Sequence, residues 1–113
     1  MSARLPTDVR AGALLRRVND AGGLAMVLAR GDRHDGGILL VIFEKSSFSG
    51  FFERESGIDG VARLARVGPA VAADAATIAD YWQRRRRIDP DLWVIELDIA
   101  SAERFAAETL LVD

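Results

Sequence analysis

The chain has 113 residues, 50% of them apolar and 28% charged, with a formal net charge of −2. That length supports one hydrophobic core, the balance excludes a disordered chain, and the small charge gives no general pull toward nucleic acid or anionic membrane. The absence of cysteine excludes disulfides, zinc–thiolate sites and thiol nucleophiles.

The longest apolar run, Ile38–Phe43, is too short to span a bilayer, and the opening MSARLPTDVR lacks the apolar stretch of a signal peptide. A cytoplasmic location without membrane contact is therefore expected. Residues 5–22 read as a helix. Thr7 is the expected N-cap, Asp8 follows at the positive end of the dipole, and Ala11, Leu14, Leu15, Val18 and Ala21 repeat at the spacing of one buried stripe. Gly22-Gly23 stops the helix, and Arg16 and Arg17 suit its negative end.

Two strands, 24–30 and 37–44, flank the turn-forming GDRHDGG. The second is apolar on both faces, with Ile38, Leu40 and Ile42 on one and Leu39, Val41 and Phe43 on the other. Such a strand needs cover on both sides, which predicts a homodimer of standard interface size, roughly 1,200–2,000 Å². Residues 45–60 read as a long connection whose Phe48, Phe51 and Phe52 either tuck onto the core or form the interface. Residues 60–68 read as a third strand ended by Pro69.

A second helix is predicted over 74–88, with Asp74 as N-cap, Ala75, Ile78, Ala79 and Trp82 inward, and Asp80 paired with Arg84. Asp89-Pro90 ends it, and 92–97 forms a fourth strand with Trp93, Ile95 and Leu97 on one face and Leu92, Val94 and Glu96 on the other. Residues 101–108 could add a short helix. The order α-β-β-β-α-β predicts a single α+β domain over residues 1–113, an antiparallel meander with helices packed on it.

Few of these residues point to chemistry. His34 sits between Asp32 and Asp35 in one tight turn, and no second histidine exists to complete a metal or acid–base site. Arg84–Arg87 resembles a phosphate-binding patch, but consecutive helical positions diverge by about 100°, so at most two arginines share a face, and nucleic acid is the less favoured partner. Glu96, on an apolar strand, needs a partner. Arg85 or Arg86 is the expected one, locking helix to sheet; the alternative is an acid of raised pKa lining a pocket with Arg16, Arg17 and Arg85. The strand order matches the core of a nuclease class, but the required acid spacing fails because Glu44 and Lys45 are adjacent. No catalytic, metal or cofactor residue is assigned.

The segments LPTDVRAGALLRRVNDAGGLAMVLARGD, HDGGILLV and above all RRIDPDLWVIELD resemble domain-of-unknown-function family 1491, short alphaproteobacterial proteins of about this length. The resemblance spans nearly the whole chain. It implies a single cytoplasmic domain and carries no activity, cofactor or catalytic residue. The reading is a non-enzymatic interaction or regulatory module, dimeric through its sheet or its Phe-rich loop, with room for an unidentified protein partner. A small-ligand or enzymatic pocket near Arg16, Arg17, Arg85 and Glu96 is one alternative, and a nucleic-acid accessory role for Arg84–Arg87 another.

Overall fold

The computed structural model describes residues 5–69 and 72–111. Helices α1 (Thr7–Asp20), α2 (Ala75–Ile88) and α3 (Ala102–Leu110) pack on five strands: β1 (Leu24–Ala29), β2 (Ile38–Glu44), β3 (Ser47–Ser56), β4 (Ala62–Val67) and β5 (Trp93–Asp98). The class is α+β. The sheet order, β1-β5-β2-β3-β4, departs from the expected meander. Strands β2, β3 and β4 are antiparallel neighbours, but β5 enters between β1 and β2, antiparallel to the first and parallel to the second. GDRHDGG therefore does not close a hairpin. It spans the width of one inserted strand, and β5, buried almost throughout, takes the central place its apolar faces require.

Alternation on β2 divides the core in two. Ile38, Leu40 and Ile42 join Trp93, Ile95 and Leu97 beneath α1 and α3. Leu39 and Val41 face the other way, with Phe48, Phe51, Ile78 and Val94, beneath α2. Both faces of β2 are thus covered inside one chain, which removes the reason first given for a dimer.

The connection expected over 45–60 is a strand. Lys45 and Ser46 take left-handed backbone angles, φ 50° and 65°, and close a two-residue hairpin. That geometry usually calls for Asn-Gly, so the turn carried no recognisable signal. Phe48, Phe51 and Phe52 lie on β3 and are buried, the first two toward α2 and the third toward α1 and α3. They form core rather than interface.

Helix ends follow the expected rules, with one exception. Asp74 caps α2, its carboxylate accepting the Thr77 N–H at 2.8 Å, and Asp89 ends the helix before Pro90. Gly22, at φ 90°, terminates α1. Thr7, however, is not the N-cap; Pro6 holds that place. Thr7 is fully buried, and its hydroxyl lies 2.8 Å from the Gly36 carbonyl, pinning α1 to the turn ahead of β2. The short terminal helix forms as α3, while Val112 and Asp113 lie outside the described residues.

The same turn clasps the Asp-Pro-Asp turn ahead of β5. The Asp32 N–H donates to the Asp91 carbonyl at 3.0 Å, the Trp93 N–H to the Gly37 carbonyl at 2.9 Å, and the Trp93 indole N–H to the Asp32 carbonyl at 2.7 Å. Two segments about sixty residues apart thus fix each other and set β5 in register with β2.

Candidate functional site

The arginine run does not form one surface. Arg84 pairs with Asp80 at 3.0 Å on the outside of α2, and Arg87 is exposed. Arg86 turns back and donates to the carbonyls of Pro90 and Leu92, satisfying backbone left open at the helix end. Arg85 reaches β3, where its guanidinium meets the Glu53 carboxylate at 2.6 Å and donates to the Tyr81 hydroxyl at 2.9 Å. Both contacts favour the charged form and raise the Arg85 pKa against the opposing effect of burial.

The four residues expected to share a pocket are dispersed. Arg16 is exposed on α1. Arg17 ties α1 to α3, with Glu108 at 2.9 Å, Thr109 at 2.7 Å and the Phe105 ring beneath its guanidinium. Both belong to the opposite side of the sheet from α2. Arg85 is engaged with Glu53, which lies level with Val94 across β2, whereas Glu96 lies level with Val41 and Met26. The helix-to-sheet lock exists, but it is Arg85–Glu53 rather than an arginine on Glu96.

Glu96 instead borders an open groove of about 470 Å³ between α2 and the sheet. The groove follows from how α2 packs. Tyr81 meets Phe51 at 4.6 Å and Phe51 meets Phe48 at 5.5 Å, so an aromatic layer seats the helix over β2 and β3. Ile78 is the one buried residue of the helix. Toward β1 the helix packs less closely, so Leu28, Val41 and Phe43 line the groove from the sheet and Trp82 from the helix. The Glu96 carboxylate is half-buried, with no hydrogen bond or ion pair among the described residues. Burial, and then the neighbouring Asp98 charge, push its pKa above the ordinary 4.5. Glu96 therefore neither pairs with an arginine of α2 nor shares a pocket with Arg16, Arg17 and Arg85; the groove it borders is lined by other residues. An acid at an otherwise apolar strand position was the visible signal; the gap beside α2 was not visible, because it depends on where the helix lands.

An unpaired acid in these surroundings costs stability. Glu96→Gln should stabilise the fold at neutral pH, and Glu96→Leu should add about 1 kcal/mol by removing an uncompensated polar burial. The folded chain holds the Glu96 proton more tightly than the unfolded chain, so this group's contribution improves as pH falls from its raised folded value toward 4.5. The advantage of Glu96→Gln should accordingly be full above the folded value and vanish below 4.5. Urea denaturation of both proteins between pH 4 and pH 8 measures it; no difference at neutral pH would show that Glu96 is solvated, and a negative one that it has a partner.

His34 is exposed, and the Asp32 carboxylate accepts the N–H groups of His34 and Asp35 at 3.0 and 2.8 Å. Those bonds hold the Asp32 carboxyl below its usual range and mark the cluster as a turn-forming device. Among the described residues, no group of three His, Cys, Asp or Glu could hold a metal ion, and no helix is long and apolar enough to cross a membrane.

A family model described as "Protein of unknown function (DUF1491)" matches residues 5–107. The chain is similar to a DUF1491 family protein from Caulobacter crescentus CB15 known from a crystal structure, with 27% identity, a TM-score of 0.78, and coverage of 90% of this chain and 94% of that one. An NMR structure of a DUF1491 family protein from the same organism gives 28% identity, a TM-score of 0.73, and coverage of 92% and 94%. A solution structure of a protein from A. tumefaciens shares the fold, with 24% identity, a TM-score of 0.67, and coverage of 88% and 89%. No curated protein matches.

Proposed function

The chain belongs to the DUF1491 family of proteins of unknown function, and on that premise we propose that it is a non-enzymatic interaction module working as an edge-paired homodimer. One observation carries this reading: the two edges of the sheet are built differently. On β4, Arg63 and Arg66 are exposed, the usual defence of an unpaired edge. On β1 the sequence LAMVLA contains no charge, and Leu24 and Met26 are 71% and 53% exposed. An uncharged edge strand offers free backbone N–H and C=O groups to another strand.

A second copy is the occupant that fits best. Antiparallel pairing of β1 with its own copy about a two-fold axis is self-complementary, brings no like charges together within the strand, and joins the two sheets. The charged side chains elsewhere support an interaction role over a reaction centre, because Arg17, Arg84 and Arg85 each satisfy an acid within the fold.

Sedimentation at micromolar concentration should show a species of twice the 12.3 kDa chain mass. Leu24→Lys, at a position already exposed, should return it to the monomer with its far-UV circular dichroism spectrum unchanged. A wild-type chain that sediments only as a monomer would overturn the proposal, as would a dimer indifferent to Leu24→Lys.

A further inference from the structure

We infer that the groove beneath α2 is a binding site for a small organic ammonium ion carried on an apolar body. Its volume, about 470 Å³, lies within the range of small-molecule sites. Among the described residues, nine of the eleven that line it are apolar; the others are Ser46 and Glu96. The lining therefore asks for a largely hydrocarbon ligand with one polar end.

The sign of that end follows from the charges. Among the described residues of the lining Glu96 is the only charged one, and Asp98 stands two positions further along β5, on the same face. Asp98 accepts the Ser46 N–H at 3.0 Å, so it is held beside the groove. An anionic ligand would face two carboxylates. A neutral apolar one would strip more water from Glu96 and give nothing back. An ammonium group supplies the counter-ion and donors that the carboxylate lacks. Phe43, Phe48 and Trp82 add aromatic surface, which attracts organic cations where water is excluded.

Entry needs little rearrangement, because Ile78 is the one buried residue of α2 and the groove is already open. The inference is independent of edge pairing, since Leu24 takes no part in the lining.

The test uses three probes with one apolar body and different heads: 2-phenylethylammonium, 2-phenylethanol and 3-phenylpropanoate. Each is titrated into the unmodified chain and followed by amide and indole NMR shifts. The ammonium probe should saturate, with shifts centred on Leu28, Val41, Glu96 and the Trp82 indole, and should bind about tenfold more tightly than either other probe. Glu96→Gln, nearly the same shape, should abolish that preference while changing binding of the alcohol by less than about twofold. Equal binding of the three probes, a preference that survives Glu96→Gln, shifts centred elsewhere, or no saturation by about 10 mM would each overturn the inference.

Discussion

Trp93→Ala should destabilise the chain by about 3–5 kcal/mol, a large part of the stability of a domain this size. Trp93 is 2% exposed at the start of β5, so its truncation opens a cavity in the core beneath α1 and α3. The damage extends beyond packing. The indole N–H donates to the Asp32 carbonyl at 2.7 Å, and Arg30 stacks on the ring at 4.9 Å, so the substitution also removes one fastening between the two clasped turns. Trp93→Phe keeps most of the ring and loses the hydrogen bond, and should cost roughly half as much. Urea denaturation monitored by far-UV circular dichroism gives both values. A Trp93→Ala loss below about 1 kcal/mol would mean that the side chain is not in the core.

The clasp leads to a comparable effect at a residue with no side chain at all. A β-carbon on Gly31 or Gly36 would run into the carbonyl oxygen of Asp91. The obstacle is backbone, which cannot swing aside like the tip of a long side chain. Either substitution must push the two turns apart and strain the bonds that join Asp32 to Asp91 and Trp93 to Gly37. Gly36→Ala should therefore cost about 3 kcal/mol or more, the upper range of overpacking with lost hydrogen bonds added. Gly22→Ala is the contrasting case. At φ 90° it strains the backbone but meets nothing within 4 Å, so about 1–2 kcal/mol is expected. If Gly36→Ala proved as mild as Gly22→Ala, the turns would not be in contact as described.

Much of this architecture was legible from local rules. Asp74 as cap, Asp89-Pro90 as stop, the Asp80–Arg84 pair and the opposite facing of Trp93 and Glu96 all follow from periodicity and end chemistry within a few residues. What was not legible depended on distant partners. Lys45-Ser46 closes a hairpin without the glycine or asparagine that normally announces one, so β3 read as a loop and its three phenylalanines as a possible interface. The bulge where Phe43 faces Phe48 further blurred the strand's alternation. GDRHDGG read as a hairpin turn because its composition suits one, and only the insertion of β5 shows its use as a bridge.

The candidate site was half legible. Glu96 stood out because an acid on an apolar strand needs an explanation, and two were open. The nearby arginines favoured a pair, since Arg85 and Arg86 follow closely along the helix. Arg85 finds Glu53 first, because α2 lies over β2 and β3 and so brings that arginine to β3. Arg86 closes the helix end instead. Glu96 is left across the sheet with Leu28 and Val41, at the edge of space that α2 does not fill.

That unpaired acid is the centre of the inferred binding groove, and it can be observed directly. Carbon-13 labelling of the glutamate side chains allows the Glu96 carboxyl to be titrated by NMR in the unmodified chain, with Glu96→Gln identifying its signal. A midpoint above the ordinary 4.5 is expected, since burial and Asp98 both disfavour the charge and no cation among the described residues offsets them. A midpoint at 4.5 would mean a fully solvated carboxylate and one below it a positive group on Glu96, and either would contradict a half-buried, unpaired carboxylate in the groove.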